Sequence, residues 1–585
     1  MNKFFFPDTA PFSYEQQSWL AGFAAGLQAQ QAMQQGSAAG AQANAPDLHI
    51  LFGTQTGNSE AVAEDAAEMA RATGFTPHVT AMDDVSMEAL AAMEQAIVVV
   101  STYGEGEMPD NAELFWDALS ASTAPRLETL NFGVLALGDT GYDDFCQAGK
   151  LIDTRFEQLG AKRMLARMDC DVDYEDAANG WLEEVLPVMA EDVDMGAAAG
   201  AVSTNTATAP KKLEKWGRKN PYISSIIENR LLSSKASAKE IRHFSLELAD
   251  DGIGYEAGDA LGVVPVNDEK LVDAFLTYFG AGSEDEAPGF LEPLKTVLKT
   301  KLEIVTPNRE FIRELEARAG NDELSNVVAN GDKEALEAFL WNQDTLDLLN
   351  LANGKPFTID EFLKLLKPLQ HRAYSISSSP KAHDNEVHLT VAAVRWDHLS
   401  RQHNGVCSTF LADTTGAGTS VPVFVSPNKA FRVPTDDEAP MIMVGPGTGI
   451  APFRAFLEER RERAASGRNW LFFGDQHRAH DFIYEEEIGA MSKQGVLDRL
   501  DLAFSRDQKD KVYVQSRMLE NGKELFAWLE EGGYFYVCGD ATRMAKDVDS
   551  TLHQVISENG SMSTEAAADY VSRLKREKRY LRDVY

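Results

Sequence analysis

Fully apolar runs of strand length alternate with polar, glycine-containing loops in the first part of the chain. HILF (49–52), AIVVV (96–100) and FGVLAL (132–137) are too short for ordinary helices. Strands that are apolar at every position are typical of a parallel sheet covered on both faces. This pattern predicts a doubly wound α/β domain between residues 47 and 190, with its ligand beyond the carboxyl ends of the strands.

A second series of this kind occupies the end of the chain. MIMVGPGTGIAPFRAF (441–456) combines a buried strand, a glycine turn and a helix start with Pro452 in its first turn. LFFGD (471–475), LAFSRD (502–507) and YFYVCGDATRMAKDV (534–548) contain three further strand ends. We therefore expect a second doubly wound sheet.

The stretch between these sheets has other periodicities. EVHLTV (386–391) alternates apolar and polar residues, which predicts a half-exposed strand. LVDAFLTYFG and EALEAFLWNQDTLDLLNL are helix-like and belong to a predicted helical insertion at about 268–365. The chain as a whole is expected to be an α/β multidomain protein.

Low-complexity stretches at 28–46 and 195–210 predict flexible linkers, because small and polar residues bury too little apolar area to order themselves. Ahead of the first stretch, Leu20, Phe23 and Leu27 lie at helical spacing, and we expect this stripe to dock on another chain or on the main body. The expected organisation is a docking segment and linker at 1–46, the first α/β domain at 47–190, a linker at 191–215, a middle domain with its insertion at 216–438 and the second α/β domain at 439–585.

Composition excludes several classes of protein. No apolar run approaches the ~18 residues of a membrane span, and the first residues lack the long apolar region of a secretory signal, so we expect a cytoplasmic protein. The cysteines show no CxxC motif and no Cys/His cluster at metal spacing, which argues against a disulfide frame, a zinc site, an iron–sulfur cluster or any other metal. They are Cys146, Cys170, Cys407 and Cys538.

Negative charge is concentrated in the first α/β domain. The formal charge of the chain is −36, which disfavours nucleic acid and anionic membrane as partners. Residues 47–190 hold 27 Asp and Glu against 7 Lys and Arg, a net charge of −20. This charge is either a solvated face or a surface that attracts a basic partner.

Three loops after the strands of the first domain carry its candidate chemistry. TQTGNS (54–59) offers hydroxyls, an amide and a glycine ahead of a helix, which suits a phosphate, and it has no lysine of the Walker type. The next two loops, STYGEGEMPDN and LGDTGYDDF, contribute Tyr103 and Tyr142, which could sandwich a flat ring. Each loop alone is ordinary turn chemistry, whereas all three in this order indicate a flavin site.

Through TQTGN, STYGEGE and LGDTGYDDFC the domain resembles flavodoxin and the FMN domain of the diflavin reductases. The resemblance implies that the first loop binds the FMN phosphate, that Tyr103 and Tyr142 flank the isoalloxazine ring and that Asp171 lies near it. The implied FMN contacts are Thr54, Gln55, Thr56, Gly57, Asn58, Ser59, Ser101, Thr102, Tyr103, Gly104, Leu137, Gly138, Asp139, Tyr142, Phe145, Cys146 and Asp171.

In the middle domain, RAYS (372–375) and GVCST (405–409) pair an arginine with a Gly/Ser/Thr turn, which suits a pyrophosphate. With the later motifs they resemble the antiparallel β-barrel FAD domain of the ferredoxin-NADP reductase family, and the insertion resembles the connecting segment of diflavin reductases. At Trp396 the family pattern favours tyrosine. The implied FAD contacts are Thr306, Arg372, Ala373, Tyr374, Ser375, Thr390, Val391, Ala392, Trp396, Gly405, Val406, Cys407, Ser408 and Tyr585.

The last domain has the features of a nicotinamide nucleotide site. Gly445, Gly447 and Gly449 would let a pyrophosphate approach the backbone, and SRDQKDKVYVQ (505–515) concentrates cations and hydroxyls that match the 2′-phosphate of NADPH. A solvated basic turn is the alternative for that segment. The expected NADPH contacts are Gly447, Thr448, Ser505, Arg506, Lys511, Tyr513, Gln515 and, by resemblance, Asp547 near the nicotinamide ribose.

The chain ends in KRYLRDVY. Cys538 could be merely a small buried residue, but the resemblance places it beside the nicotinamide C4 and makes Ser375, Cys538 and Asp583 the catalytic candidates for hydride transfer. Tyr585 is the fourth catalytic candidate and would be an aromatic lid that stacks on the FAD ring and moves away for the nicotinamide.

From PFSYEQQSWL to RYLRDVY the chain closely resembles the flavoprotein α subunits of NADPH-dependent assimilatory sulfite reductases. The resemblance implies electron transfer from NADPH through FAD and FMN to a sirohaem/iron–sulfur hemoprotein β subunit that converts sulfite to sulfide. It also implies a homo-oligomer of α chains assembled through the N-terminal segment. Two alternatives stay open: a soluble diflavin reductase that serves another haem acceptor such as a cytochrome P450, and a flavin-binding redox sensor.

Overall fold

The computed structural model describes residues 45–104, 106–193, 216–249, 252–330, 333–352, 355–414 and 416–585. The predicted N-terminal docking helix lies outside these residues, as does most of the predicted linker at 191–215. No helix in the described part of the chain is long and apolar enough to cross a membrane.

The first α/β domain is a parallel sheet in the order β2-β1-β3-β4-β5, with β6 paired to the end of β4. Its central strand β3 is buried along nearly its whole length, as its uninterrupted apolar sequence predicts. Helices cover both faces of the sheet, which confirms the doubly wound fold. The strands are β1 (Asp47–Gly53), β2 (Thr76–Ala81), β3 (Gln95–Ser101), β4 (Asn131–Leu137), β5 (Lys162–Arg163) and β6 (Met168–Cys170), and the helices are α1 (Asn58–Thr73), α2 (Met87–Ala91), α3 (Asp110–Ser120), α4 (Gln147–Gln158) and α5 (Tyr174–Asp192).

The middle domain contains an antiparallel sheet in the order β10-β9-β14-β7-β8-β11. Ile376, directly after the outer strand β10, forms an isolated bridge with Leu389 of the other outer strand, β11. The two edges of the sheet therefore meet at this point. A separate hairpin, β12–β13, follows β11. The strands are β7 (Tyr222–Leu231), β8 (Glu240–Glu247), β9 (Ala260–Val263), β10 (Arg372–Ser375), β11 (Glu386–Ala393), β12 (Arg395–His398), β13 (Arg401–Asn404) and β14 (Ser420–Ser426).

In the described part of the chain between β9 and β10, seven helices interrupt this sheet and pack around their own apolar core. One short helix lies between β13 and β14. The helices are α6 (Glu269–Phe279), α7 (Leu294–Thr300), α8 (Arg309–Ala319), α9 (Asp322–Asn330), α10 (Lys333–Leu340), α11 (Thr345–Leu349), α12 (Ile359–Leu365) and, after β13, α13 (Val406–Thr409).

The last domain is a second parallel sheet in the order β17-β16-β15-β18-β19. A glycine turn follows β15 and leads into α14, which has Pro452 in its first turn as predicted. The strands are β15 (Met441–Val444), β16 (Asn469–Asp475), β17 (Arg499–Phe504), β18 (Tyr534–Gly539) and β19 (Tyr580–Val584), and the helices are α14 (Ala451–Glu462), α15 (Arg478–Asp481), α16 (Glu485–Lys493), α17 (Val514–Glu520), α18 (Gly522–Glu530), α19 (Met544–Asn559) and α20 (Thr564–Arg576).

The prediction that residues 386–391 form a half-exposed strand is wrong. His388 and Thr390, two of the three polar members of the alternation, are only 5% and 4% exposed, and Glu386 at the start of the strand is half-buried. Their face of β11 packs against the last domain, where the Tyr484 hydroxyl lies 2.7 Å from Thr390 Oγ1 and Arg454 Nη1 lies 3.3 Å from His388 Nδ1. His388 and Thr390 therefore find polar partners in another domain rather than in water.

This interface buries a pair of histidines. The rings of His243 and His388 lie 4.8 Å apart, and His243 Nδ1 lies 2.9 Å from the Tyr484 hydroxyl. Burial is the main cause that lowers the pKa of His243 to about 2 and that of His388 to about 4. Both rings are therefore neutral in the folded protein throughout the range in which an unfolded histidine titrates.

We expect acid to destabilise this interface. The unfolded chain gains a proton on each of these two histidines as the pH falls through about 6.5, so each should cost about 1.4 kcal/mol of stability per pH unit below that value. Melting temperatures at pH 7.5, 6.5 and 5.5 test this slope. His243→Phe should make the slope shallower, whereas His398→Gln on the β12–β13 hairpin should not, and equal slopes in the two variants would contradict the expectation.

The first domain docks on the rest of the chain through its negative charge. In every described ion pair between residues 47–190 and residues beyond 215, the acid belongs to the first domain and the base to the other side. The exposed pairs among these contribute about 0–1 kcal/mol each and weaken with salt, so this part of the contact is adjustable. The pairs are Glu60–Lys429, Asp83–Lys578, Asp84–Lys578, Glu107–Lys546, Asp110–Arg582, Glu113–Lys575, Glu113–Arg582, Asp143–Arg309, Asp171–Lys367, Glu175–Arg218 and Asp176–Lys219.

Candidate flavin and nicotinamide sites

The loop between β1 and α1 is shaped by its own side chains. Thr54 Oγ1 accepts hydrogen bonds from the backbone N–H groups of Gly57 (2.9 Å) and Ser59 (3.4 Å), and the Thr54 N–H donates to Asn111 Oδ1 (2.7 Å). Ser59 Oγ is buried at the start of α1 and has no hydrogen-bond partner among the described residues. A phosphate oxygen would satisfy this orphaned hydroxyl, so the loop fits the FMN phosphate.

The loop after β3 holds Tyr103 against the last domain. Gly104 has φ 54°, a left-handed conformation that favours glycine, and the Tyr103 N–H donates to Glu107 O (3.0 Å) across the resulting tight turn. The Tyr103 hydroxyl donates to the backbone oxygen of Val584 (3.2 Å). Burial, followed by the charge of Asp110, raises the pKa of Tyr103 to about 12, so this hydroxyl remains a donor.

The loop after β4 presents Tyr142 to a cavity. Tyr142 is 56% exposed and, with Phe145, lines a cavity of about 390 Å³ whose other wall includes Arg309 and Lys367 of the middle domain. Asp171 lies beside this loop and accepts hydrogen bonds from Thr140 Oγ1 (2.6 Å) and Lys367 Nζ (3.0 Å). The pKa of Asp171 is lowered, because these bonds outweigh the opposing effect of burial.

The remaining predicted FMN contacts lie in these loops, and the side chains of several accept hydrogen bonds from backbone N–H groups. Thr102 Oγ1 accepts from the N–H of Ala148 (3.1 Å), and Gln55 Oε1 accepts from the N–H of Asp110 (3.0 Å). Cys146 is fully buried, and burial raises its pKa to about 12, so it remains a thiol. The others in these three loops are Thr56, Asn58, Ser101, Leu137, Gly138 and Asp139.

The predicted FAD residues fall into two groups. In the first, Arg372 Nη2 lies 3.6 Å from Glu303 Oε2, and Glu303 Oε1 accepts from the N–H of Thr306 (3.2 Å), so Thr306 and Arg372 share one neighbour. The Arg372 side chain is 46% exposed and therefore accessible to a phosphate. Ala373 lies next to Arg372 on β10 and is exposed.

The second group surrounds the start of α13. Tyr374 on β10 interacts with Cys407, and both residues have raised pKa values, chiefly because of burial. A Cβ on Gly405 would lie 2.9 Å from Ser408 Oγ and 3.0 Å from Val394 Cβ, so only glycine fits this tight turn comfortably. An exposed guanidinium beside a glycine turn at a helix start fits an FAD pyrophosphate.

Several predicted FAD residues have side chains that contact other parts of the protein instead of the glycine turn at the start of α13. The Thr390 hydroxyl faces Tyr484 and the Val391 side chain lies in the sheet core, so any FAD contact from these two residues would come from their backbone. The predicted backbone contacts of Thr390 to Ala392 stay a prediction. The Trp396 indole donates to Asn342 O (2.9 Å) and stacks on His403 at 5.3 Å. Val406 lies partly buried in the first turn of α13.

Three of the four catalytic candidates, Ser375, Cys538 and Asp583, meet although they are far apart in sequence. Ser375 Oγ donates to Asp583 Oδ2 (2.6 Å), and Cys538 Sγ lies 3.7 Å from the same oxygen. Burial raises the pKa values of both Asp583 and Cys538. A carboxylate thus connects β10 of the middle domain with the carboxyl ends of β18 and β19.

The terminal residue covers the adjoining turn. The Tyr585 hydroxyl lies 3.0 Å from Thr448 Oγ1, its N–H donates to Gly539 O (3.1 Å), and its side chain is 62% exposed. A Cβ on Gly449 would lie 2.1 Å from the Cys538 carbonyl oxygen, so the turn after β15 must be glycine to lie this close to β18. Gly445 and Gly447 complete the turn, and Gly447 and Thr448 in it are half-buried, so a nucleotide pyrophosphate could approach the backbone there.

The basic segment 505–515 follows β17 at the same edge of the sheet. The Ser505 N–H donates to Asp475 O (2.9 Å), and Arg506 and Lys511 are exposed, as is nearly half of Tyr513. Gln515 Nε2 donates to Asp547 Oδ2 (3.2 Å), which joins this segment to the start of α19. The predicted nucleotide contacts therefore lie along one edge, at the carboxyl ends of the strands.

One group of potential metal ligands lies elsewhere among the described residues, in the helical insertion and the β12–β13 hairpin. It consists of Asp344, Asp347 and His403. Arg401 Nη2 lies 2.5 Å from Asp344 Oδ1 and 2.8 Å from Asp347 Oδ1. The guanidinium therefore supplies the positive charge that balances these carboxylates.

Sequence reasoning missed the residues that connect the sites to each other. Arg582 pairs with Asp110 of the first domain, and Lys367 pairs with Asp171. The basic ending of the chain was the available signal for Arg582. Nothing in the sequence near Lys367 indicates a partner 196 positions away.

A flavodoxin-type sheet, an antiparallel domain whose exposed arginine and glycine turn fit a pyrophosphate, and a second parallel sheet with a glycine turn after its central strand together define a diflavin reductase, the class that passes electrons from NADPH through FAD to FMN. Comparison with known families agrees with this class. Family models match for flavodoxin (residues 50–181), an FAD binding domain (215–410) and an oxidoreductase NAD-binding domain (443–550).

Relatives that match over nearly the full length of the chain identify a narrower family within the diflavin reductases. The chain is 43% identical to the sulfite reductase (NADPH) flavoprotein alpha-component of Bacillus subtilis, over 97% of this chain and 95% of the relative. The proteins of the same name from Vibrio cholerae and Neisseria meningitidis are 41% and 39% identical, over 98% and 97% of this chain and 93% and 95% of the relatives. The chain belongs to the family of sulfite reductase (NADPH) flavoprotein alpha-components, which confirms the resemblance found in its motifs.

Proposed function

We propose that this protein is the electron-transfer component of an assimilatory sulfite reductase and delivers electrons from NADPH to a sirohaem/iron–sulfur hemoprotein β subunit. The observation that carries the proposal is the position of the C-terminal strand. Asp583 on β19 meets the catalytic candidates Ser375 and Cys538, while the next residue, Val584, accepts the hydrogen bond from Tyr103. Both expected flavin sites therefore adjoin one strand, and full-length similarity to sulfite reductase flavoproteins supports the acceptor.

In this mechanism, bound FAD supplies hydride acceptance and bound FMN supplies single-electron transfer, which together match a two-electron donor to a haem acceptor. The chain's residues position the reactants. Asp583 would hold the Ser375 hydroxyl near the flavin N5, where the family resemblance implies that it lies, and the neutral thiol of Cys538 would lie beside the nicotinamide C4. Arg372 and the Gly405 turn would hold the FAD pyrophosphate, and the Thr54–Ser59 loop would hold the FMN phosphate.

Sulfide production tests the proposed acceptor. The protein, loaded with FAD and FMN, is mixed with NADPH, sulfite and a sirohaem hemoprotein from the same cell. Sulfide that requires both proteins supports the proposal. Reduction of the flavins by NADPH without any sulfide would retain the diflavin reductase class and refute the acceptor.

We expect Tyr585→Ser to tighten nicotinamide binding and to relax the preference for NADPH over NADH. The side chain would otherwise occupy the place of the nicotinamide ring on the flavin, and its removal ends that competition. Steady-state kinetics with NADPH and NADH measure the change, and Tyr585→Phe, which keeps the ring, should resemble the wild type. Unaltered kinetics with both nucleotides in Tyr585→Ser would refute the lid.

We further propose that several copies of this chain assemble through residues 1–46, whose apolar stripe would also help to hold the hemoprotein. Deletion of residues 1–46 should then give a smaller particle that still reduces artificial acceptors with NADPH. Light scattering on the flavin-loaded protein measures the mass. An unchanged mass would count against this role.

A further inference from the structure

We infer that Lys239, on the turn between β7 and β8 of the middle domain, binds the NADPH pyrophosphate, and that Asp475 positions it. Lys239 Nζ donates to Asp475 Oδ1 (2.6 Å) across the boundary between the middle and last domains. Asp475 ends β16, next to the turn that the nucleotide pyrophosphate is expected to approach. The nucleotide site would therefore be shared between two domains.

The turn that carries Lys239 is fastened to the last domain. Ser234 Oγ lies 2.9 Å from His480 Nδ1, and the Ser234 N–H donates to His480 O (2.8 Å). Ser237 Oγ donates to the buried carboxylate of Asp481 and accepts from the Lys239 N–H (2.9 Å). These contacts fix the backbone of Lys239, and the ion pair with Asp475 restrains its side chain, so less conformational entropy is lost when the ammonium binds a ligand.

Asp475 connects the two parts of the expected nucleotide site. Its Oδ2 lies 3.7 Å from the position of a Cβ on Gly447, in the glycine turn, while its backbone oxygen accepts the N–H of Ser505, in the predicted 2′-phosphate segment. Asp475 Oδ2 is buried and has no hydrogen-bond partner in the described part of the chain. A carboxylate so close to the glycine turn would repel a pyrophosphate unless a cation neutralised it.

Lys239 has the chemistry to do both tasks. Its ammonium has three N–H donors, and one of them serves Asp475, so two are left for phosphate oxygens. Its side chain is 38% exposed, whereas that of Asp475 is fully buried, so the cation lies on the accessible side of the pair. The pairing also explains why a buried acid is tolerated beside an anion-binding turn.

Direct binding to the flavin-loaded protein tests the inference, which rests on NADPH use in the proposed function and not on sulfite as the acceptor. Lys239→Gln should weaken NADP⁺ binding by about tenfold or more, as expected for the loss of a charged hydrogen bond. Adenosine 2′-monophosphate has the 2′-phosphate but no pyrophosphate, and its affinity should not change. Lys235→Gln, at an exposed position on the same turn, is the matched control and should bind both ligands like the wild type.

The Asp475→Asn background separates direct contact from charge neutralisation. If Lys239 contacts the pyrophosphate, Lys239→Gln should weaken NADP⁺ binding in this background as well. The inference is overturned if Lys239→Gln leaves NADP⁺ affinity unchanged, if both ligands weaken equally, or if the effect disappears with Asp475→Asn. Wild-type binding of NADP⁺ in the same titration tests nucleotide use separately.

Discussion

Asp583→Asn should slow the reduction of the bound flavin by NADPH by about 100-fold. Asp583 accepts the hydrogen bond of Ser375 and lies beside the Cys538 thiol, so the carboxylate fixes two groups of the hydride-transfer site. An amide of the same shape can accept that bond, but it carries no charge and offers an N–H of its own. A misplacement of about 1 Å in a reacting group costs about 10²-fold in rate.

Single-turnover reduction by NADPH, followed by flavin absorbance, measures this change. Burial raises the pKa of Asp583, so the carboxylate should protonate at a higher pH than an ordinary aspartate, and the wild-type rate should fall as the pH drops through that value. Asp583→Asn should lose this acidic limb. Asp569→Asn, at an exposed position on α20, should match the wild type, and an acidic limb that persists in Asp583→Asn would refute the role of Asp583.

The two parallel sheets could be predicted because uninterrupted apolar strands such as AIVVV need cover on both faces. The same reasoning failed at β11. His388 and Thr390 read as solvent-facing, yet Thr390 meets Tyr484, a residue 94 positions away in another domain. A polar side chain needs a hydrogen-bond partner, but the local sequence does not tell whether that partner is water or another part of the protein.

The candidate sites also contain parts that the sequence predicts and parts that it does not. The phosphate loop at Thr54 and the glycine turn at Gly447 depend on local backbone chemistry, so their motifs could be recognised directly. The pairs Lys239–Asp475 and Lys367–Asp171 join residues more than 190 positions apart, and only the packing of the domains brings them together. Local motifs therefore indicated the cofactors, whereas the contacts between the sites required the fold.

The C-terminal strand is where these contacts converge. Side chains alternate along β19, so Asp583 points to the hydride-transfer site while Arg582 points to the first domain and pairs with Asp110 and Glu113. The pKa of Glu113 is lowered, since Lys575 and Arg582 outweigh the effect of its burial. The basic ending of this acidic protein thus has an acidic partner surface within the same chain.

We expect Arg582→Glu to slow electron transfer from FAD to FMN by about tenfold at low ionic strength, because it places a third negative charge beside Asp110 and Glu113 and disfavours docking of the FMN domain. Reduction of FAD by NADPH should change less than twofold, since Arg582 faces away from Ser375. Rapid-mixing kinetics resolve the two steps. The difference from the wild type should shrink in high salt, which screens the docking charges in both proteins.

A charge swap distinguishes docking from a general disturbance of β19. Asp110→Arg combined with Arg582→Glu restores an opposite pair at the same place and should recover most of the lost FAD-to-FMN rate. Arg576→Glu, at an exposed position on α20, makes the same change in net charge and should leave the rate near that of the wild type. Failure of the swap to recover the rate, or an equal loss with Arg576→Glu, would show that the Arg582–Asp110 pair does not hold the FMN domain in its electron-accepting position.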